Sequence, residues 1–410
     1  MPCADIVLAL LGAGLSVPVF VLFVEVVASL FRQPKLDVSK LPTPSTVVLI
    51  PAHNEERGIS KTIASIRKSI QPGQSILVVA DNCTDKTALK ARENGAEVIE
   101  RTNASERGKG YALSFGFAHL QSDPPQVVIV VDADCELNDN AIPNLAKSAV
   151  RLDRPVQAEY EFIAPSNETR SLLSALATVV RNIARPRGLR RMGLPTQLVG
   201  TGMAFPWDAL MHCPPMGGYL VEDMLMGIEL AKAGFAPVHL SNVHVRSRLP
   251  EDPDAALAQR KRWEQGHLQT LFQRGPRLVA EGILTRNVSL LAMGLDLLVP
   301  PLALLAIGLV LFFIGAFVVW GLGASGLSLS IALSLIGLFA ASVMLARWKL
   351  ARQSISIRSL LLRRSTCFGK SLCTPRTSLA EAKNMAANRA RNRRPRRWRR
   401  CAPPEPQQLL

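Results

Sequence analysis

The chain has 410 residues, 48% of them apolar and only 5% aromatic, with a formal charge of +16. That length holds one large catalytic domain with appendages, and apolar content paired with a basic balance points to a membrane protein with cationic flanks more than to a nucleic-acid binder. The seven cysteines include no CxxC pair and no Cys/His cluster of zinc spacing, which argues against a zinc module and a disulfide framework.

Residues 6–31 form an apolar run broken only by Pro18, Glu25 and small residues. It exceeds the roughly 20 residues a spanning helix needs. No basic stretch precedes it and no Ala-x-Ala signal follows, so a retained span is expected and not a removed leader. Arg32, Lys35 and Lys40 come next, then a stiff linker at 42–44. Residues 46–50 read as a buried strand ending in Pro51-Ala-His-Asn-Glu-Glu56. Ile59, Ile63, Ile66 and Ile70 recur at helical spacing, which predicts a helix over 59–70. A second strand, 75–80, ends in Asp81-Asn-Cys-Thr-Asp85, and Thr84 is expected to cap a helix running to Asn94. A short strand follows at 96–99, and Arg107-Gly-Lys-Gly-Tyr-Ala-Leu113 opens another helix.

The central stretch is Val127-Val-Ile-Val-Val-Asp-Ala-Asp134. Its β-branched run reads as a fully buried strand, and it ends in two carboxylates at alternate positions. Three successive strands thus deliver polar residues at their carboxyl ends: His53, Asn54 and Glu55; Asp81 and Asn82; Asp132 and Asp134. Strands alternating with helices predict a mostly parallel sheet covered on both faces, and such sheets bind ligands at that edge. Two hard oxygen ligands suit Mg²⁺ or Mn²⁺ shared with a diphosphate. The plain alternative is that these aspartates form turns.

Further on, Gly200-Thr-Gly-Met-Ala-Phe205 precedes Glu222-Asp223, which heads an amphipathic helix at 224–233. Two acids there also suit the helix dipole. Gln259, Arg262 and Trp263 fall at i, i+3 and i+4 on one helical face. Residues 185–191, Arg-Pro-Arg-Gly-Leu-Arg-Arg, read as a basic loop that grips lipid headgroups, gates a pocket or is merely solvated. An interfacial helix is expected at 288–299, then two spans at 301–322 and 327–346 with Arg347, Lys349 and Arg352 after them. The basic flanks put the amino terminus outside and the middle region and tail in the cytoplasm, with three crossings. The tail from about residue 363 carries the arginine run 391–400. It is expected to be disordered and drawn to anionic surfaces, or to be out-of-frame translation, and no function is assigned to it.

In this order, Pro-Ala-His-Asn-Glu-Glu, Asp-Asn-Cys-Thr-Asp, Gly-Lys-Gly, Asp-Ala-Asp, Glu-Asp and Gln-x-x-Arg-Trp resemble a family 2 membrane glycosyltransferase of GT-A fold. The likeness is to exopolysaccharide, poly-N-acetylglucosamine, chitin and hyaluronan synthase-like enzymes, and Gln-x-x-Arg-Trp is also the signature of ceramide glucosyltransferase. It covers residues 44–350. The resemblance implies a cytoplasmic GT-A α/β domain at 44–287, after a span and linker at 1–43. An interfacial helix and two spans follow at 288–350, then a basic tail at 351–410. It implies a multi-pass protein of the cell inner membrane.

It further implies a UDP-sugar donor, with Asp81 hydrogen-bonded to uracil and His53, Asn54 and Glu55 lining the nucleotide pocket. Lys109 would reach a phosphate or the donor sugar. Asp134 would ligate the metal directly, and Asp132 would hold ribose or metal. Asp223 would be the general base, with Glu222 beside it raising its pKa. Arg262 would contact the diphosphate, and Trp263, with Gln259 on the same face, would stack under an acceptor sugar. The expected acceptor is a growing polysaccharide, with possible export or polymerisation partners; single-sugar transfer to a ceramide or polyprenyl-type lipid is the alternative. A dinucleotide-dependent dehydrogenase would need Gly-x-Gly-x-x-Gly after the first strand, where this chain has Pro-Ala-His-Asn. No specific nucleic-acid partner is expected.

Overall fold

The computed structural model describes residues 2–163, 169–248 and 252–352, so the tail beyond 352 lies outside the described residues. A long helix, α1 (Pro2–Ser29), precedes an α/β domain. Its first half runs β1 (Thr46–Ala52), α2 (Ile59–Arg67), β2 (Gln74–Asp81), α3 (Thr87–Glu93), β3 (Glu97–Arg101), α4 (Lys109–Leu120) and β4 (Val127–Val130). Its second half begins with β5 (Glu136–Leu137), α5 (Ala141–Leu152), β6 (Val156–Ile163) and α6 (Thr169–Val179). A π-helical turn, Val180–Ala184, then leads into α7 (Arg185–Arg191). β7 (Met203–Pro206), α8 (Trp207–Leu210), α9 (Glu222–Lys232) and β8 (Val238–Arg248) complete the domain. α10 (Pro253–Leu284), α11 (Val288–Leu297), α12 (Leu302–Gly321) and α13 (Leu327–Leu350) follow.

The eight strands lie in the order β3-β2-β1-β4-β7-β6-β8-β5. β3, β2, β1 and β4 are parallel, with Val48 opposite both Ile76 and Ile129. The sheet then turns antiparallel at β7. Side chains alternate across β1. Val48 and Ile50 pack with Ile59, Ile63 and Ile66 of α2 on one face, while Leu49 packs with Leu113 of α4 and Phe205 of β7 on the other. Both faces are therefore buried, which is why these strands are near-continuous apolar runs. Each such side chain contributes about 1.5–3 kcal/mol by leaving water. The sheet holds its carboxyl edge rigidly, and that edge carries the polar residues.

Among the described residues, three helices are long and apolar enough to cross a membrane: Asp5–Ser29, Leu302–Gly321 and Leu327–Leu350. They pack on one another through Val19, Leu22 and Val26 of α1, Leu305, Leu309 and Phe312 of α12, and Ala332 and Leu335 of α13. Leu10, Phe20, Leu311 and Trp320 face outward, as lipid-facing residues do. α11 lays Leu290, Met293 and Leu297 against Ile228 of α9 and Leu278 of α10.

Two local expectations are corrected. The N-cap of the helix after β2 is Lys86, not Thr84, and the residue before it, Asp85, accepts from both the N–H and the hydroxyl of Thr87 at Oδ1. Residues 185–191 are a helix and not a loop. Pro186 sits in its first turn, where its missing N–H is harmless. Arg185 is buried, donating to Glu25 of α1 at 2.7 Å and to Asp296 of α11 at 2.5 Å.

Candidate active site

The carboxyl ends of β1, β2 and β4 meet at one edge. At β2, the Asp81 carboxylate accepts from Arg101 Nη1 at 2.8 Å and from Asn82 at 3.1 Å. His53 Nδ1 lies 2.8 Å from the Asp81 carbonyl, so the β1 and β2 loops are tied together. Asn54 and Asn82 both take positive φ, at 55° and 51°, a conformation asparagine tolerates better than most residues. Asn54 then accepts from the Thr84 N–H at 2.8 Å. Arg101 also pairs with Glu106 and lies over the Tyr111 ring. No sequence motif marks it; only the buried carboxylate it neutralises does.

At β4, one ligand atom each from Asp132, Asp134 and Cys135 lies within 4.8 Å of the others. The Asp132 N–H donates to the Thr201 hydroxyl at 3.0 Å, which fixes the turn. Asp134 is pushed up from the ordinary carboxylate range, first by desolvation and then by the Asp132 charge, although it opens to the cleft mouth. Glu55 is pushed up to about 7 by burial and by Asp134 and Asp132. Negative charge is therefore in excess here. Cys135 is buried, and burial pushes its thiol well up, which leaves a soft, protonated group. The donor set that fits an ion is the carboxylate pair, and hard oxygens fit Mg²⁺ or Mn²⁺.

Lys109, the first residue of α4, links this pole to the next. Its ammonium pairs with Asp132 and donates to the Gly200 carbonyl at 2.6 Å. Burial opposes its charge, but Asp132, Glu222 and Asp223 outweigh that and hold it well above the usual lysine range. Gly200 has φ +91°, and a Cβ there would sit 3.2 Å from Asp223 Oδ2 and 3.4 Å from Lys109 Nζ. Asp223 and Lys109 thus flank Gly200 together, beyond ion-pair distance of one another. Asp223 Oδ1 accepts the Met224 N–H at 2.8 Å, while Oδ2 faces the Gly200 side. Burial lifts Asp223, opposed by Lys109 and Arg181. Glu222 is lifted to about 7 by burial and then by the Asp223 charge. Gly110 permits the close approach of the loop before α9: a Cβ there would meet the Met216 carbonyl oxygen at 2.1 Å.

The third group of sequence-singled residues divides. Gln259 and Trp263 line a cavity of about 580 Å³ bounded by α6, the π turn, α10 and the start of α12. The Trp263 ring packs 5.4 Å from Phe162. Arg262 is exposed and is not among the lining residues; Arg260 is. Arg181, which carried no sequence signal beyond its charge, lines the same cavity and acts electrostatically on Asp223.

Residues 43–266 match the family described as Glycosyltransferase like family 2. The chain belongs to that family. Among curated family relatives, it is 36% identical over 104 residues to the low-salt glycan biosynthesis hexosyltransferase Agl6 of Haloferax volcanii, covering 25% of this chain and 24% of that one. It is 36% identical over 114 residues to the 4,4'-diaponeurosporenoate glycosyltransferase of Staphylococcus haemolyticus, covering 27% and 29%. These matches span roughly a quarter of each relative's length. The mannosyltransferase PcManGT from Pyrobaculum calidifontis, solved with GDP-Man and Mn²⁺, superposes with a TM-score of 0.55 at 16% identity, over 88% of this chain and 99% of that one. That likeness shows a shared fold, the Rossmann-like GT-A sheet with flanking apolar helices.

Proposed function

We propose that this chain is an inverting glycosyltransferase that moves a sugar from a UDP-sugar to an acceptor hydroxyl at the cytoplasmic face of the cell inner membrane. The observation that carries it is Lys109, which ties Asp132 to Gly200 beside Asp223. A leaving-group pole and a proton acceptor thereby lie on two sides of one side chain.

The chemistry is a single displacement. The acceptor oxygen attacks the anomeric carbon on the face opposite the diphosphate. The bond from that carbon to the diphosphate oxygen breaks, its electron pair leaves with UDP, and the hydroxyl proton passes to Asp223. Lys109 and Arg181 counter part of the lift that burial gives Asp223. Asp81, with His53, Asn54 and Glu55, would seat the nucleotide, and Lys109 would contact the donor phosphates. Asp134 and Asp132 would hold Mg²⁺ or Mn²⁺. When bound, that ion supplies positive charge against the developing charge of the leaving diphosphate.

A growing polysaccharide is the acceptor the Gln-x-x-Arg-Trp motif suggests, and it would bring export or polymerisation partners with it. One observation favours the second reading, transfer of a single sugar to a lipid. The cavity carrying Gln259 and Trp263 is walled by Pro301, Leu302 and Ala303, where a membrane-crossing helix begins. The relative's binding of GDP-Man makes GDP-mannose a donor to test beside the UDP-sugars.

The test is to incubate membranes with radiolabelled nucleotide sugars, with and without Mn²⁺, and to size the product. Transfer that is lost in Asp223→Asn and in Asp134→Asn supports the proposal. No transfer from any nucleotide sugar defeats it.

A further inference from the structure

The π-helical turn Val180–Ala184 interrupts a helix that otherwise runs from α6 into α7. Such turns are rare and recur at functional sites. This one carries Arg181, which reaches the cavity between the catalytic domain and α12. Among the described residues, Arg181 makes no hydrogen bond and no ion pair. Asp223 and Glu264 lie in its field, yet neither is within ion-pair distance. Its neighbour Arg185 is bound to Glu25 and Asp296, and Arg260 donates to Ser174. Arg181 is therefore the cation of this cavity with no hydrogen-bond or ion-pair partner among the described residues, with Asp223, Asp296 and Glu264 acting on it only through space.

The rest of the lining has a direction. Leu173 and Ala177 of α6 and Leu302 and Ala303 of α12 make an apolar wall, while Arg181, Gln259, Arg260 and Glu264 are at the polar end. Leu302 is also the first residue of a membrane-crossing helix, so the apolar wall starts where hydrocarbon starts. A volume of about 580 Å³ falls inside the roughly 300–1,000 Å³ of ligand sites. A half-buried guanidinium without a partner is costly in apolar surroundings, and an anionic group relieves that cost.

We infer that this cavity binds an amphiphile with an acidic headgroup: its anion pairs with Arg181, its hydrocarbon tail runs along Leu173, Ala177 and Ala303 to the bilayer, and its hydroxyl faces Asp223. This rests on the glycosyl-transfer reading for the reaction, but not for the binding. The hydroxyl oxygen forms the new bond to the anomeric carbon, the diphosphate leaves with the electron pair, and the proton goes to Asp223. The acidic group is a recognition element and keeps its charge throughout.

The experiment uses the purified full chain in an uncharged detergent. Binding of radiolabelled short-chain phosphatidylglycerol and phosphatidylcholine with identical tails is measured, with inorganic phosphate as competitor and UDP binding as a separate readout. Phosphatidylglycerol should bind about tenfold more tightly than phosphatidylcholine, the loss expected for one charged hydrogen bond. Arg181→Gln should abolish that ratio and leave UDP binding intact. Ala177→Trp, which fills the apolar wall, should weaken both lipids. Equal binding of the two lipids by the unmodified chain, a ratio that survives in Arg181→Gln, or displacement of lipid by millimolar phosphate alone overturns the assignment. Should Arg181→Gln fail to fold, its lost UDP binding will reveal it, and the unmodified chain with Ala177→Trp still decides. Absent UDP binding alongside intact lipid discrimination would defeat the donor site and leave the cavity assignment standing.

Discussion

Lys109 pairs with Asp132 across the carboxyl edge of the sheet and spends a second hydrogen bond, at 2.6 Å, on the Gly200 carbonyl. It is the cation common to Asp132, Glu222 and Asp223. Replacing it with methionine keeps the stem and removes the charge. Three carboxylates would then face one another with no compensating ammonium, at a cost of about 2 kcal/mol for the charged hydrogen bonds alone. Lys109→Met should lower the melting temperature and weaken UDP binding together. Lys109→Arg should not restore binding, because a planar fork does not fit a point-charge site. Calorimetric UDP titration of both variants checks this, and full binding by either one refutes it.

The pair at the head of α9 sets a pH dependence. Glu222 sits near 7 in the fold against an ordinary 4.5, and Glu55 likewise. A raised carboxyl pKa means that the folded chain holds the proton more tightly than the unfolded chain. Stability from these groups is complete below about pH 4.5 and is lost as pH rises through about 7. Activity should run the other way, because Asp223 must be ionised to accept a proton. Glu222→Gln removes the group that burial and the Asp223 charge lift, so the loss of stability between pH 4.5 and 7 should shrink. An unchanged stability profile across that range, measured by denaturant unfolding, would show that Glu222 does not carry the effect.

Asp223→Asn separates base from scaffold. Its Oδ1 accepts the Met224 N–H at 2.8 Å, a bond the amide oxygen of asparagine can also accept. The fold and UDP binding should survive, while kcat falls by roughly 10²–10⁴, the contribution of a placed general base. Near-normal turnover would return Asp223 to the role of a helix-dipole acid.

Much of this was legible in the chain, for physical reasons. β1, β2 and β4 are buried on both faces, so burial wrote itself as runs of Val, Ile and Leu. Their ends were readable because polar residues stop such runs abruptly. β6 was not readable: Gln157 and Glu159 are buried within it, and partners distant in sequence, the Thr201 carbonyl and Val199 N–H for Gln157 and Arg187 for Glu159, satisfy them. Arg101 escaped for the same reason, since its buried partner Asp81 distinguishes it, and Arg181 escaped because only the packing around the cavity gives it its place. Residues 185–191 misled because Pro186 and Gly188 look like loop formers. In the fold, the proline opens a helix and the glycine packs against the Glu25 backbone. In Gln259-x-x-Arg-Trp263, helical spacing put Arg262 on the site face, yet the cavity takes Arg260.

Two glycines distinguish steric need from chemistry. At Gly110, a Cβ would sit 2.1 Å from the Met216 carbonyl oxygen, a backbone atom that cannot step aside. Gly110→Ala should cost about 1–3 kcal/mol of stability by overpacking. Gly200→Ala adds strain at φ +91° and a methyl 3.2 Å from Asp223 Oδ2. Its transfer rate should fall further than its stability does. Thermal unfolding beside kcat discriminates: equal losses in both variants would remove the special position claimed for Gly200.

Glu25 lies inside α1, a helix long and apolar enough to cross a membrane, and its partner Arg185, 2.7 Å away, opens α7 of the α/β domain. Both side chains are buried, 3% and 8% exposed. Arg185 holds Asp296 of α11 at the same time, so one guanidinium fastens α1, α7 and α11. Removing Arg185 strands two buried carboxylates, and stranding a buried charge typically costs about 3–5 kcal/mol. Arg185→Ala should therefore destabilise the detergent-purified chain by that order, whereas Glu25→Gln, which leaves Arg185 with Asp296 and keeps an acceptor for Arg185 Nε, should cost less. The triple variant Glu25→Leu, Arg185→Met and Asp296→Leu should recover part of the loss, since three apolar groups strand nothing. Melting curves of the three variants read the coupling directly. A triple variant no better than Arg185→Ala would mean that the cost lies in packing and not in the uncompensated charge.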